Sequence, residues 1–188
     1  MSGLLTFKKG AGKMSLYLVE STLKTAISQK EDFEKEVSSL KSAFASQNIN
    51  LIEVQVSKDF SRVFYIFEAE ASDQLEALLK EHDVQIDLLK EVRIVGKELD
   101  EVKKEANNVN YLVEWNLPED LTMDQYLARK KKNSVHYAEV PEVSFARTYV
   151  CEDMSKCLCF YDAPDEDAVK RAREAVKTPL DSITEINK

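Results

Sequence analysis

The sequence predicts an α+β protein made of two tandem copies of a βαββαβ unit, packed against each other within one chain. Three observations predict it: a motif recurring at a fixed offset, the same alternation of strand and helix patterns in both halves, and two strand segments apolar at every position. The motif Tyr17-Leu18-Val19-Glu20 returns as Tyr111-Leu112-Val113-Glu114, 94 positions later. With no gap, that offset also pairs Val56 with Val150, Asp59 with Asp153, Ser61 with Ser155, Asp73 with Asp167 and Asp87 with Asp181. A constant register over this distance means that every element boundary recurs, which is the mark of a tandem duplication. The copies are read at 15–95 and 109–188, with a flexible tail at 1–14 and a polar, solvated linker of one or two helical turns at 96–108.

In the first copy, Leu16 to Val19 reads as a strand, and Ser28 is placed to cap a helix three residues before Glu31. Phe33, Val37, Leu40, Ala43 and Phe44 then fall on one helical face. Leu51 to Val56 alternates as a strand, Lys58 to Ser61 supplies turn chemistry, and Val63 to Phe67 returns as the second arm of a hairpin. Ser72 caps a second helix carrying Leu75, Leu78 and Leu79, and Leu88 to Val95 closes the unit as a strand. The second copy repeats this order. It runs through a strand at Tyr111–Trp115, a helix from Thr122 to Tyr137, strands at Ser144–Cys151 and Lys156–Asp162, a helix at Asp165–Lys177 and a strand at Ser182–Ile186. This is the ferredoxin-like plan, with both helices on one face of an antiparallel sheet. Val63 to Phe67 and Leu158 to Tyr161 are apolar throughout, so those strands are buried on both faces. The other copy is the simplest cover, and the two sheets are expected to pack face to face as a single-chain pseudo-dimeric α+β barrel around a cavity.

The chain has 188 residues and a formal charge of -8, with 44% hydrophobic and 32% charged residues. That acidity disfavours nucleic acid and anionic membranes as partners, because both need clustered Lys and Arg. Arg129 to Lys132 is a basic run, but successive helix residues point in different directions and read as a solvated face. No apolar run reaches membrane-spanning length, and three cysteines confined to 151–159 fit free thiols in a reducing cytoplasm. With four glycines and no phosphate loop, H-E-x-x-H or G-x-S-x-G motif, standard kinase and hydrolase chemistry is a poor fit.

The second copy, from Tyr111-Leu112-Val113-Glu114 through Arg147-Thr148-Tyr149-Val150 and Cys159-Phe160-Tyr161-Asp162-Ala163-Pro164 to Thr184-Glu185-Ile186, resembles a family of small bacterial ferredoxin-like proteins. That family was long known only as a domain of unknown function and is better known through nickel-binding members. The resemblance implies the ferredoxin-like fold, barrel-like pairing and a divalent metal such as nickel as the cofactor.

Few residues offer themselves for chemistry. Glu20 and Glu114 each follow an apolar strand, either as exposed strand ends or as carboxylates aimed into a pocket. Arg147, between Phe145 and Tyr149, requires a carboxylate or a ligand anion if buried, and its counterpart in the first copy is Glu53. Tyr149 and Tyr161 complete the polar lining expected of a ligand pocket. Cys157 and Cys159 share a strand face, with Cys151 on the neighbouring strand; they read as small packed hydrophobes or as soft ligands. His136 reads as a helix-end cation, a base or a metal ligand, and His136 with Cys159 forms the metal-binding candidate set. The leading expectation is a cytoplasmic, non-catalytic protein that binds a small molecule or metal ion in or beside the cavity, with a homodimer left open. A barrel-type oxygenase or isomerase is the alternative. An interaction module whose cavity is filled by Phe, Tyr and Leu side chains is the third reading.

Overall fold

Strand follows helix as the patterns predict in the computed structural model, which describes residues 12–23, 27, 29–105 and 108–187. The first half comprises β1 (Ser15–Thr22), α1 (Lys30–Ala45), β2 (Asn50–Val56), β3 (Arg62–Ala69), α2 (Ser72–Glu81) and β4 (Leu88–Val95). A short α3 (Leu99–Glu105) leads to β5 (Tyr111–Asn116), α4 (Met123–Asn133), a 3₁₀ helix (Ser134–Glu139), β6 (Ser144–Cys151), β7 (Lys156–Asp162), α5 (Glu166–Ala175) and β8 (Ser182–Glu185).

Alternation on the central strands divides the core into three. Val63, Tyr65 and Phe67 of β3 meet α1 and α2, while Cys157, Cys159 and Tyr161 of β7 meet α4 and α5. The residues between them, Phe64 and Ile66 on β3 and Leu158 and Phe160 on β7, point the other way into an inner core shared by both halves. Double burial of these runs thus has the expected cause, and each fully buried side chain of this size contributes about 1.5–3 kcal/mol.

The arrangement of the sheet corrects the expected barrel. All eight strands form one antiparallel sheet in the order β2-β3-β1-β4-β6-β7-β5-β8. The halves fuse edge to edge where β4 pairs with β6, from Val92 opposite Cys151 to Val95 opposite Thr148. At the far edges β2 and β8 meet in a single bridge, Ser57 to Ile186, because β8 has four residues where β4 has eight. The sheet curls over the inner core but is not a closed barrel. The expected internal cavity is occupied as well: Leu18, Ile52, Phe64, Ile66, Leu112, Tyr149, Leu158 and Phe160 fill it.

The halves match in detail. Left-handed backbone occurs at Phe60 and Met154 in the two hairpin turns and at Asp83 and Lys177 after the second helix of each half. Asp59 accepts from the Ser61 amide and Asp153 from the Ser155 amide, both at 3.0 Å. Bulges interrupt β2 between Leu51 and Glu53 and β6 between Phe145 and Arg147. All of these positions are related by the offset of the sequence repeat.

Some boundaries differ from expectation. Thr122 caps α4 in a reciprocal pair with Gln125, but the helix ends at Asn133, where the Ser134 hydroxyl turns back to the Lys130 carbonyl and the chain tightens into 3₁₀. Ser72 is the first residue of α2 instead of its cap. The expected cap Ser28 and residues 1–11 of the expected tail lie outside the described residues. The linker is more than a solvated joint, since Val102 of α3 is fully buried in the inner core. Gly96 ends β4 at φ 92, where a Cβ would stand 2.8 Å from the Phe145 ring, so only glycine fits.

Candidate functional site

The five residues expected to line one pocket separate into three buried polar groups. The first lies at the ends of β1 and β5. Glu20 and Glu114 both project toward the inner face, and Lys156 bridges them, with its Nζ 2.8 Å from an oxygen of each. Arg62 donates to Glu114 at 3.2 and 3.4 Å and reaches Glu20 at 3.5 Å, and the Ser182 hydroxyl donates to Glu114 at 2.8 Å. Burial raises the Glu20 carboxyl, and neighbouring Glu114 adds to it against the pull of Lys156. Burial acts on Glu114 too, but the bonds from Arg62, Lys156 and Ser182 outweigh it and hold the carboxyl down at about 2. Arg62 and Lys156 are themselves related by the repeat offset, a signal the sequence contained and strand patterning passed over.

The second group joins β2 to β6. Arg147, 1% exposed, donates from Nε to both oxygens of Glu53 at 3.1 and 3.0 Å, and from Nη2 to one of them. The Tyr149 hydroxyl and the Gln55 amide donate to the same carboxylate. The alternative of a plain Arg–Glu pair therefore describes Arg147, and its partner is its own counterpart in the other half. The matched bulges turn both side chains to the inner face. Equivalent positions meet in this way only near a twofold relation between the halves.

Tyr161 belongs to a third group beneath α5. Its hydroxyl lies 2.7 Å from that of Tyr137 and accepts from Arg173 Nη1 at 3.2 Å. Cys159 lies alongside, accepting from Thr148 Oγ1 at 3.1 Å and Arg173 Nη1 at 3.4 Å. All three cysteines are free and buried. His136 sits apart on the 3₁₀ helix, its Nδ1 3.1 Å from Glu139. Among the described residues no group of three or more His, Cys, Asp or Glu side chains is placed to hold a metal ion. The surroundings of Cys159 do not suit a cation either, because Arg173 and Lys130 already place positive charge there.

A cleft of about 650 Å³ opens along the outer edge of β2, between α1 and α3. Phe33, Val37 and Val54 supply apolar surface, Lys30, Lys41 and Lys104 stand along it, and Glu53 also lines it. It lies beside the weak seam between β2 and β8. Neither Glu20 nor Glu114 reaches it.

Residues 111–186 match the family described as nickel responsive protein SCO4226-like. The match falls on the half in which the resemblance was read from sequence. No curated protein matches the chain. Among solved structures, a candidate chlorite dismutase superposes with a TM-score of 0.53 at 14% identity, over 93% of this chain and 94% of that one. A candidate monooxygenase from Lactobacillus acidophilus NCFM gives 0.52 at 9% identity, over 93% of each chain. At such identities the similarity is one of fold. No helix among the described residues is long and apolar enough to cross a membrane.

Proposed function

We propose that this is a non-catalytic binding protein that takes a small ligand in the cleft along β2. The cleft carries the reading: about 650 Å³ lies within the range of roughly 300–1,000 Å³ usual for small-molecule sites. An apolar floor edged by lysines suits an amphipathic molecule with an acidic group. The lysines would hold the ligand's acidic group, while Glu53, buried and bonded to Arg147 and Tyr149, keeps the wall of the cleft in place. The same reading takes the chain as a tandem duplication with units at 15–95 and 109–188, so that the site belongs to their junction.

A second reading, a divalent metal of the nickel type, rests on the family matched by residues 111–186. Native mass spectrometry with metal analysis, on protein purified without a histidine tag, separates the two. A co-purifying organic species retained by the wild type and lost in Val37→Trp, which fills the cleft, is the expected result. Protein that carries no small molecule overturns the cleft reading. Absence of bound metal, together with an unchanged melting temperature on adding nickel, overturns the second.

A further inference from the structure

Arg173 is a buried cation with no carboxylate partner among the described residues. It sits on the inward face of α5 at 2% exposure, among Ala168, Val169 and Ala172. Its Nη groups bond to the Tyr161 hydroxyl, the Cys159 sulfur and the Pro179 carbonyl, while its buried Nε has no hydrogen-bond partner. A guanidinium stays charged at any physiological pH, and taking it out of water is costly unless opposite charge and full hydrogen bonding compensate. A hydrogen bond from Cys157, against the effect of burial and with help from Lys130 and Arg173, draws the neighbouring Cys159 thiol well below its ordinary range.

Beside Arg173 lies a solvent-open cavity of about 20 Å³ between α4, the 3₁₀ helix and α5. That is room for one water molecule or a group of similar size. Arg129, Lys130 and Arg173 all line it with Tyr126, Tyr137 and Trp115, and no acidic side chain does. Arg129 is held over the Trp115 ring at 5.5 Å and donates to the Lys177 carbonyl at 2.6 Å. Lys130 lies 4.2 Å from the centre of the Phe145 ring. The basic run expected to be a solvated face thus turns two of its members onto this cavity. Three cations around one small opening, with no carboxylate among its lining residues, make a site for an acceptor carrying negative charge.

We infer that this cavity receives one oxygen of the carboxylate of a small organic acid, directed toward Arg173, with the rest of the carboxylate outside it between Arg129 and Lys130 at the mouth. The site is separate from the β2 cleft and stands or falls independently of it. A bound carboxylate would share Arg173 with Cys159 and, being of like charge, would disfavour the thiolate.

The test uses formate as the probe and neutral formamide as its control, followed by the NMR signal of the Arg173 Nε–H in the full-length protein. Formate is expected to shift that signal saturably while formamide leaves it in place. Lys130→Gln and Arg129→Gln are each expected to raise the formate concentration at half-saturation by about five- to tenfold, since each removes one charge-assisted contact. A signal that does not move overturns the proposal, as does one that moves equally with formamide or without saturation. Formate affinity unchanged in both variants overturns the assignment of the mouth.

Discussion

At the seam between β4 and β6 the Glu152 amide donates to the Glu91 carbonyl at 2.9 Å, and at the seam between β2 and β8 the Lys58 amide donates to the Glu185 carbonyl at the same distance. Each is the repeat counterpart of the other. The bridge of Ser57 with Ile186 likewise corresponds to the pairing of Val92 with Cys151. Beyond this point the first seam continues through Ile94 and Val95, whereas in the second the Asn187 amide bonds to the Val56 carbonyl and the described chain ends. Two junctions with the same register therefore differ only in extent. The cleft lies along the outer edge of β2, beside the shorter of the two junctions among the described residues.

The pair Glu53–Arg147 ties the open side to the closed one, so breaking it should have the largest effect. Arg147→Ala strands the buried Glu53 carboxylate and is expected to cost about 3–5 kcal/mol in urea unfolding. Exchanging the two residues, Glu53→Arg with Arg147→Glu, is expected to recover at least half of that loss, because the positions are equivalent. A swap no better than the single change would show that the halves are less alike than their backbones.

The network at the ends of β1 and β5 sharpens the comparison through pH. The Glu114 carboxyl is depressed in the folded state, so its stabilisation is present above its unfolded value near 4.3 and is lost as pH falls toward 2. Glu20 is raised and has the opposite sign: its ionised form is a burden at neutral pH that acid relieves. Glu114→Gln is expected to cost roughly 2–3 kcal/mol at pH 7 and to flatten the acid limb of stability. Glu20→Gln should cost less than about 1 kcal/mol there, and equal losses would refute the assignment of roles.

Hydrogen exchange addresses the seams themselves. The amides of Lys58 and Asn187 are expected to exchange roughly tenfold or more faster than those of Glu152 and Arg93, their counterparts in the long seam. Least affected should be Lys58→Ala, which removes an exposed ion pair with Glu185 at 3.0 Å and is expected to change stability by less than about 1 kcal/mol.

Local order was the legible part of this molecule. Apolar runs, turn residues and the offset placed the strands of both halves to within a few residues, because those signals act over short stretches of chain. Double burial at Val63–Phe67 correctly called for cover by the other half. The fusion of the sheets was hidden, since pairing β4 with β6 depends on which edges come together, and nothing local in Leu88–Val95 announces it. Of the site residues, Glu20 and Glu114 meet because equivalent positions converge, a consequence that follows from the repeat once the halves are known to face each other. Arg173 was invisible because it lies in a helix rich in charge, where one inward-facing arginine resembles its solvated neighbours. The partners of Cys159 were missed for a related reason: its cations come from α4 and α5, distant in sequence.

The Glu53–Arg147 contact also governs which molecules the halves can recognise. Two copies of the first half brought together in the same geometry would set carboxylate against carboxylate, and two copies of the second would set guanidinium against guanidinium. Each half is complementary only to the other, so the contact discriminates against self-association as well as holding the fold. Opened between its halves, the protein would behave as a lock-and-key pair of fragments, each selective for its mate.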